Sequence, residues 1–199
     1  MEVPARRFEV VSKIALSCFV FGLLVSCANT PDAELISNIQ SLPGTKTTIV
    51  LLRQGGRDPS AEGTDPPLTL RGRKRAAALP AALGDIGVSA IYCPNLQRNI
   101  ETAKPLADHL GLKIITISRR RLSSPKKLAR ELLDEFISKY ANGVVVWIGN
   151  LRDLEELYKQ VDGTGNPPTE YGSICIVTIP DIGPPRIKKI TYGHDVGMY

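Results

Sequence analysis

Two runs of consecutive apolar, largely β-branched residues, 47–52 (TTIVLL) and 144–148 (VVVWI), constrain the fold more than any other feature. A strand that is apolar at nearly every position is buried on both faces, and such strands belong to parallel sheets covered above and below by helices. The intervening sequence supplies those helices. Thr69 caps a predicted helix that runs to about Leu83, with an irregularity at Pro80. A second helix runs from about Asn95 to Leu110 and closes at Gly111. Ser124-Pro125 opens a third, which ends near Tyr140, and residues 151–161 form a fourth. Weaker strands are predicted at 90–93, 113–117, 173–179 and 186–192. The alternation defines an α/β three-layer sandwich with a mostly parallel central sheet flanked by helices. A length of 199 residues suits one domain with a substantial core.

The first 26 residues read as a signal peptide. Arg6, Arg7 and Lys13 form a basic start, and the apolar run 14–25 is too short to span a bilayer as a helix. Leu24-Val25-Ser26-Cys27 resembles a bacterial lipobox, which implies lipidation of Cys27 and its exposure as the first mature residue. Residues 27–46 are expected to be a tether with at most a short helix at 32–39, and 47–199 the folded domain. The expected location is the bacterial cell envelope, lipid-anchored and facing the periplasm; Ala28 is compatible with the outer membrane. Several acyl chains on one residue suffice for stable anchoring. Cys18 would leave with the leader, so the fold would retain Cys93 and Cys175. Both lie in strand-like runs and are expected to be separate buried thiols.

Ligands of open α/β sheets sit beyond the carboxyl ends of the strands. Arg53 and Gln54 leave the first strand, Arg98 lies in the first turn of the helix after the second, and Gly149 and Asn150 leave the fourth. Three strand ends thus bring polar groups to one edge. Two of those groups are guanidinium forks suited to phosphate or carboxylate. Part of the net charge of +5 belongs to the leader, and aromatic residues make up only 6% of the chain. Neither a strong polyanion surface nor a base-stacking platform is indicated, so nucleic acid is not an expected partner. No His/Cys/carboxylate cluster has metal-ligand spacing, and no cofactor is expected.

These residues, in this order, resemble the histidine phosphatase superfamily, which includes the cofactor-dependent phosphoglycerate mutases. The family's strand and Arg-His-Gly are matched by 47–52 followed by Arg53-Gln54-Gly55. Its Asp-x-Pro-Leu-Thr-x-x-Gly is similar to Asp65-Pro66-Pro67-Leu68-Thr69-Leu70-Arg71-Gly72. Its Ser-Pro-Leu-x-Arg-x-x-x-Thr-Ala is similar to Cys93-Pro94-Asn95-Leu96-Gln97-Arg98-Asn99-Ile100-Glu101-Thr102-Ala103, with one residue inserted before Leu96. Its buried strand ending in Gly-His is matched by 144–148 and Gly149-Asn150. The resemblance runs from Thr47 to about Tyr192 and implies the phosphoglycerate mutase-like fold.

It also implies where the chemistry departs. Gln54 stands at the position of the family's nucleophilic histidine and Asn150 at that of its second histidine, while Arg53 and Arg98 match the arginines that hold the phosphate. A carboxamide nitrogen has its lone pair delocalised into the carbonyl, so it cannot accept a phosphoryl group as imidazole does. After the third strand, where the family's acid is usually found, stand Ser118-Arg119-Arg120-Arg121 with no adjacent carboxylate. The expectation is a degenerate, non-catalytic domain that binds phosphate or a small anionic ligand through Arg53, Arg98, Gln54 and Asn150. A phosphomonoester phosphatase with an unconventional site, or an envelope interaction protein that uses only the scaffold, stays open. Arg119–Arg121 with Lys126 and Lys127 read as a solvated face, and His109 as a helix-end residue. His194 falls in the tail, and Asp58 and Glu62 are acids of the loop after Arg53.

Overall fold

The computed structural model describes residues 39–193. The signal peptide, Cys27, most of the tether and His194 lie outside them. Six strands form one sheet in the order β3-β2-β4-β1-β5-β6. The strands are β1 (Lys46–Arg53), β2 (Val88–Pro94), β3 (Ile114–Ile117), β4 (Val144–Gly149), β5 (Ser173–Pro180) and β6 (Arg186–Thr191). The first four pair in parallel, and β5 and β6 close one edge antiparallel. The helices are α1 (Leu70–Ala77), α2 (Leu79–Leu83), α3 (Gln97–Leu110), α4 (Pro125–Lys139) and α5 (Leu151–Gln160).

The two central strands are buried on both faces, as their composition requires. Ile49, Leu51, Val145 and Trp147 point into a core shared with α4 and α5. Val50, Leu52, Val146 and Ile148 point into a second core shared with α2 and α3. Each large side chain fully withdrawn from water contributes about 1.5–3 kcal/mol, so these two strands anchor the whole sandwich. Cys93 and Cys175 are buried free thiols. Burial pushes them up to about 12 and about 11, respectively.

Local chemistry sets the element ends. Thr69 Oγ1 accepts from Gly72 N–H at 2.9 Å and caps α1. The expected single helix to Leu83 is two helices divided at Ala78. Pro80 has no N–H to offer Ala76 and its ring would press on that carbonyl, so the chain turns first. Gly111, at φ 65°, ends α3. Ser124 makes no side-chain cap bond, and α4 begins on the preset φ of Pro125. The connection after β1 leads to α1 and α2 on one face, and that after neighbouring β4 leads to α5 on the other. This divergence opens a crevice at their carboxyl ends.

Two glycines make that crevice possible. A Cβ on Gly55 would lie 2.6 Å from Gly72 O, and one on Gly72 would lie 2.6 Å from Gly56 O. The loop leaving β1 and the first turn of α1 therefore touch backbone to backbone, which fixes where Arg53 and Gln54 sit.

Candidate functional site

A cleft of about 520 Å³ opens at the carboxyl edge of the sheet, lined in part by Arg53, Gln54, Arg98 and Asn150. All four residues singled out from sequence thus meet in one place. Arg57, Arg152 and Asp153 line it as well.

Each side chain is held by a specific partner. Arg53, half-buried, donates through Nη1 to Thr169 O at 2.8 Å, and its guanidinium stacks 4.2 Å from the centroid of Tyr171. Arg75, buried on the far side of the loop, stands 5.4 Å from the same ring and donates to Gly55 O. Tyr171 thereby ties the loop before β5 to two cations. Arg53 Nε is buried without a partner. Gln54 is 3% exposed, and its carboxamide oxygen accepts from Gly56 N–H at 2.7 Å. Its Nε2 donors are what it can offer a ligand.

Arg98 lies in the first turn of α3. Its Nη2 donates to Asn150 Oδ1 at 3.3 Å, and its Nη1 lies 3.6 Å from Asp65 Oδ1. Burial draws its pKa down, opposed by Asp65, yet arginine remains charged. Two neighbours fix this helix end. Thr102 Oγ1 accepts from Gly55 N–H and donates to Arg98 O, and Asn99 Nδ2 donates to Ile148 O at 2.9 Å.

Asp65 is the carboxylate that local sequence around 118–121 does not contain. It accepts from Gln97 N–H at 3.0 Å and pairs with Arg119, which also donates to Asn95 O. Arg121 pairs with Glu131 at 2.7 Å. The basic cluster forms a 3-10 turn, Arg119–Ser123, and two of its three arginines are neutralised by acids distant in sequence. Asp58 and Glu62 do not line the cleft; the Asp58 carboxylate accepts from Ser60. His109 is exposed at the far end of α3. Among the described residues no cluster of three His, Cys, Asp or Glu is placed to hold a metal ion.

Asp153 escaped the sequence reading. It is 4% exposed, and its Oδ1 accepts from Asn150 N–H at 2.7 Å in the return half of a capping box at the start of α5. Oδ2 and Trp147 Nε1 both crowd the side of Gly149, where a Cβ would fall 2.8 Å from Oδ2. Burial pushes the carboxyl up to about 7, although the Asn150 N–H holds it down in part. The spacing Asn150-x-x-Asp153 before an apolar helix is the one signal that marks it in the sequence.

The fold and the cleft together define an α/β domain with a cationic pocket at its switch point. Over residues 49–146 the sequence matches the histidine phosphatase superfamily, branch 1. That span holds the arginine-glutamine-glycine turn and the Arg98 helix but ends before Asn150.

Solved structures share the fold. A phosphoglycerate mutase from Bacillus anthracis is 16% identical, with a TM-score of 0.59 over 76% of this chain and 96% of that one. A mycobacterial glucosyl-3-phosphoglycerate phosphatase, in complex with inorganic phosphate, is 16% identical, with a TM-score of 0.56 over 75% and 98%. The protein histidine phosphatase SixA, in complex with tungstate, is 16% identical, with a TM-score of 0.50 over 72% and 96%. No curated protein matches the sequence significantly.

Proposed function

We propose that the domain binds a phosphorylated or otherwise anionic ligand in the Arg53–Arg98 cleft and does not turn it over. The observation that carries this reading is the pairing of an open cleft, lined by four arginines, with carboxamides at both positions where the family places its histidines. Gln54 and Asn150 supply donors and acceptors but no group that can carry a phosphoryl. The cleft is not filled by its own side chains, which favours a ligand over a purely scaffolding role. The remaining part of the proposal is cellular: lipid on Cys27 holds the domain at the bacterial envelope, facing the periplasm. The short apolar leader and its Leu-Val-Ser-Cys end support it.

Calorimetric titration with inorganic phosphate, beside phosphatase assays on p-nitrophenyl phosphate, tests the reading. Binding by the wild type, its loss in Arg98→Ala and no hydrolysis are expected. An acid-labile phospho-enzyme in the wild type would refute it. The Gln54→His/Asn150→His double variant is expected to form such an intermediate, because the two arginines already flank the restored imidazole.

A further inference from the structure

We infer that the ligand of this cleft is an organic phosphomonoester with a compact apolar body, an aryl or short alkyl group, rather than free phosphate or a polyanion. The inference rests on the anion-binding reading above and names its ligand class. At about 520 Å³ the cleft falls in the size range of sites for whole small molecules, and a phosphate group alone leaves most of it unfilled. The rest of its lining is not uniformly charged. Leu96, Leu122, Pro125 and Leu151 contribute apolar surface beside the arginines.

Of these, Leu151 is the telling one. It occupies the first position of α5, directly after Asn150, and remains 43% exposed. The core does not claim it, and the first turn of a helix ordinarily favours polar or acidic residues. Leu122 and Pro125 come from the 3-10 turn and the start of α4, so three separate elements place apolar atoms at one cleft. A polar cluster that fixes an anionic head at one side, with apolar wall beside it for the remainder, matches the anatomy of a small-molecule site. A polyanion would leave those walls against water or charge. Arg57 and Arg152, exposed on the lining, add positive potential that draws an anionic head inward.

The experiment compares inorganic phosphate, phenyl phosphate and pyrophosphate by calorimetry, at a pH where the first two are dianions, on the wild-type protein and on Leu151→Gln. Leu151 is solvent-exposed, so the variant does not disturb the core. Phenyl phosphate is expected to bind at least tenfold tighter than phosphate, and Leu151→Gln to reduce that ratio severalfold. Phosphate bound as tightly as phenyl phosphate, or pyrophosphate tighter than both, would overturn the ligand class and leave the anion cleft standing. A preference for phenyl phosphate unmoved by Leu151→Gln would overturn the placement of the apolar body. Binding of none of the three would overturn this inference together with the reading beneath it.

Discussion

Replacing Asp153 by asparagine keeps the oxygen that accepts from Asn150 N–H and removes the one buried carboxyl at the cleft. In the native protein this group titrates at about 7, and in the unfolded chain it regains its ordinary value of 3.8. Between those limits the native state keeps a proton that the unfolded state has released. Native stability therefore falls as pH rises through that window, and the loss is complete above about pH 7. A shift of this size corresponds to about 4 kcal/mol as a ceiling. Asparagine carries no such penalty, but it sets an amide donor against Trp147 Nε1, a cost that does not vary with pH. The informative quantity is thus the slope of the difference between variant and wild type. Urea unfolding of both at several values from about pH 4.5 to 8.5 measures it. The stability difference is expected to move in favour of Asp153→Asn by 2–4 kcal/mol, on the order of the full shift. A difference that stays constant across that range would mean that Asp153 ionises normally in the fold, and the account of a desolvated carboxyl would fail.

Gly72→Ala is expected to destabilise the domain by about 1–3 kcal/mol in denaturant titration, because a Cβ there meets Gly56 O with no flexible side chain to yield. Unchanged stability would show that the two backbones can separate freely. In a Cys18→Ser/Cys27→Ser background, Cys93 and Cys175 should be unreactive toward Ellman's reagent at neutral pH and fully reactive in denaturant, since burial suppresses both thiolates. Rapid labelling of the native protein would contradict their burial.

The residues that revealed themselves in the sequence are those whose role is local. The stretches TTIVLL and VVVWI announce β1 and β4 because burial on both faces leaves no polar position within them. Arg53, Gln54, Arg98 and Asn150 were found because strand ends in a parallel sheet converge by topology alone. Asp65 was not found as the partner of Arg98 and Arg119, since those pairings span loops and follow no period. The same holds for Thr169 and Tyr171, which grip Arg53 from a loop rich in Gly and Pro. Arg119 and Arg120 are exposed, as expected of a solvated face, while the acids that pair with Arg119 and Arg121, Asp65 and Glu131, come from other elements. Asp153 differs, for its capping spacing was visible. What sequence does not convey is that the N-cap lies on the cleft, so that a helix-capping carboxyl is also a buried one.

On the proposed reading, carboxamides at the two positions where the resemblance places histidines bear differently on holding a ligand and on transforming it. Transformation needs an atom that bonds phosphorus and then releases it, and neither carboxamide supplies one. Holding needs donors, and the cleft has them, though not all are uncommitted. One nitrogen of Arg53 is given to Thr169 O, and Arg98 already touches Asn150. The Arg98–Asp65 approach, at 3.6 Å, is long for a charge-assisted hydrogen bond, so an incoming oxyanion displaces little there. Two such bonds to the ligand, at about 1.5–3 kcal/mol each, sum to about 3–6 kcal/mol, a Kd between roughly 6 mM and 40 μM that the entropy lost on association shifts toward the weak end. Phosphate alone would therefore occupy the cleft poorly at low concentration. A specific ligand has to add contacts that Arg53 and Arg98 do not provide, and the surface beside them includes Leu122, Pro125 and Leu151 as well as the exposed Arg57 and Arg152. The weakness of the charged half of the site is thus itself a reason to expect an apolar other half in the ligand.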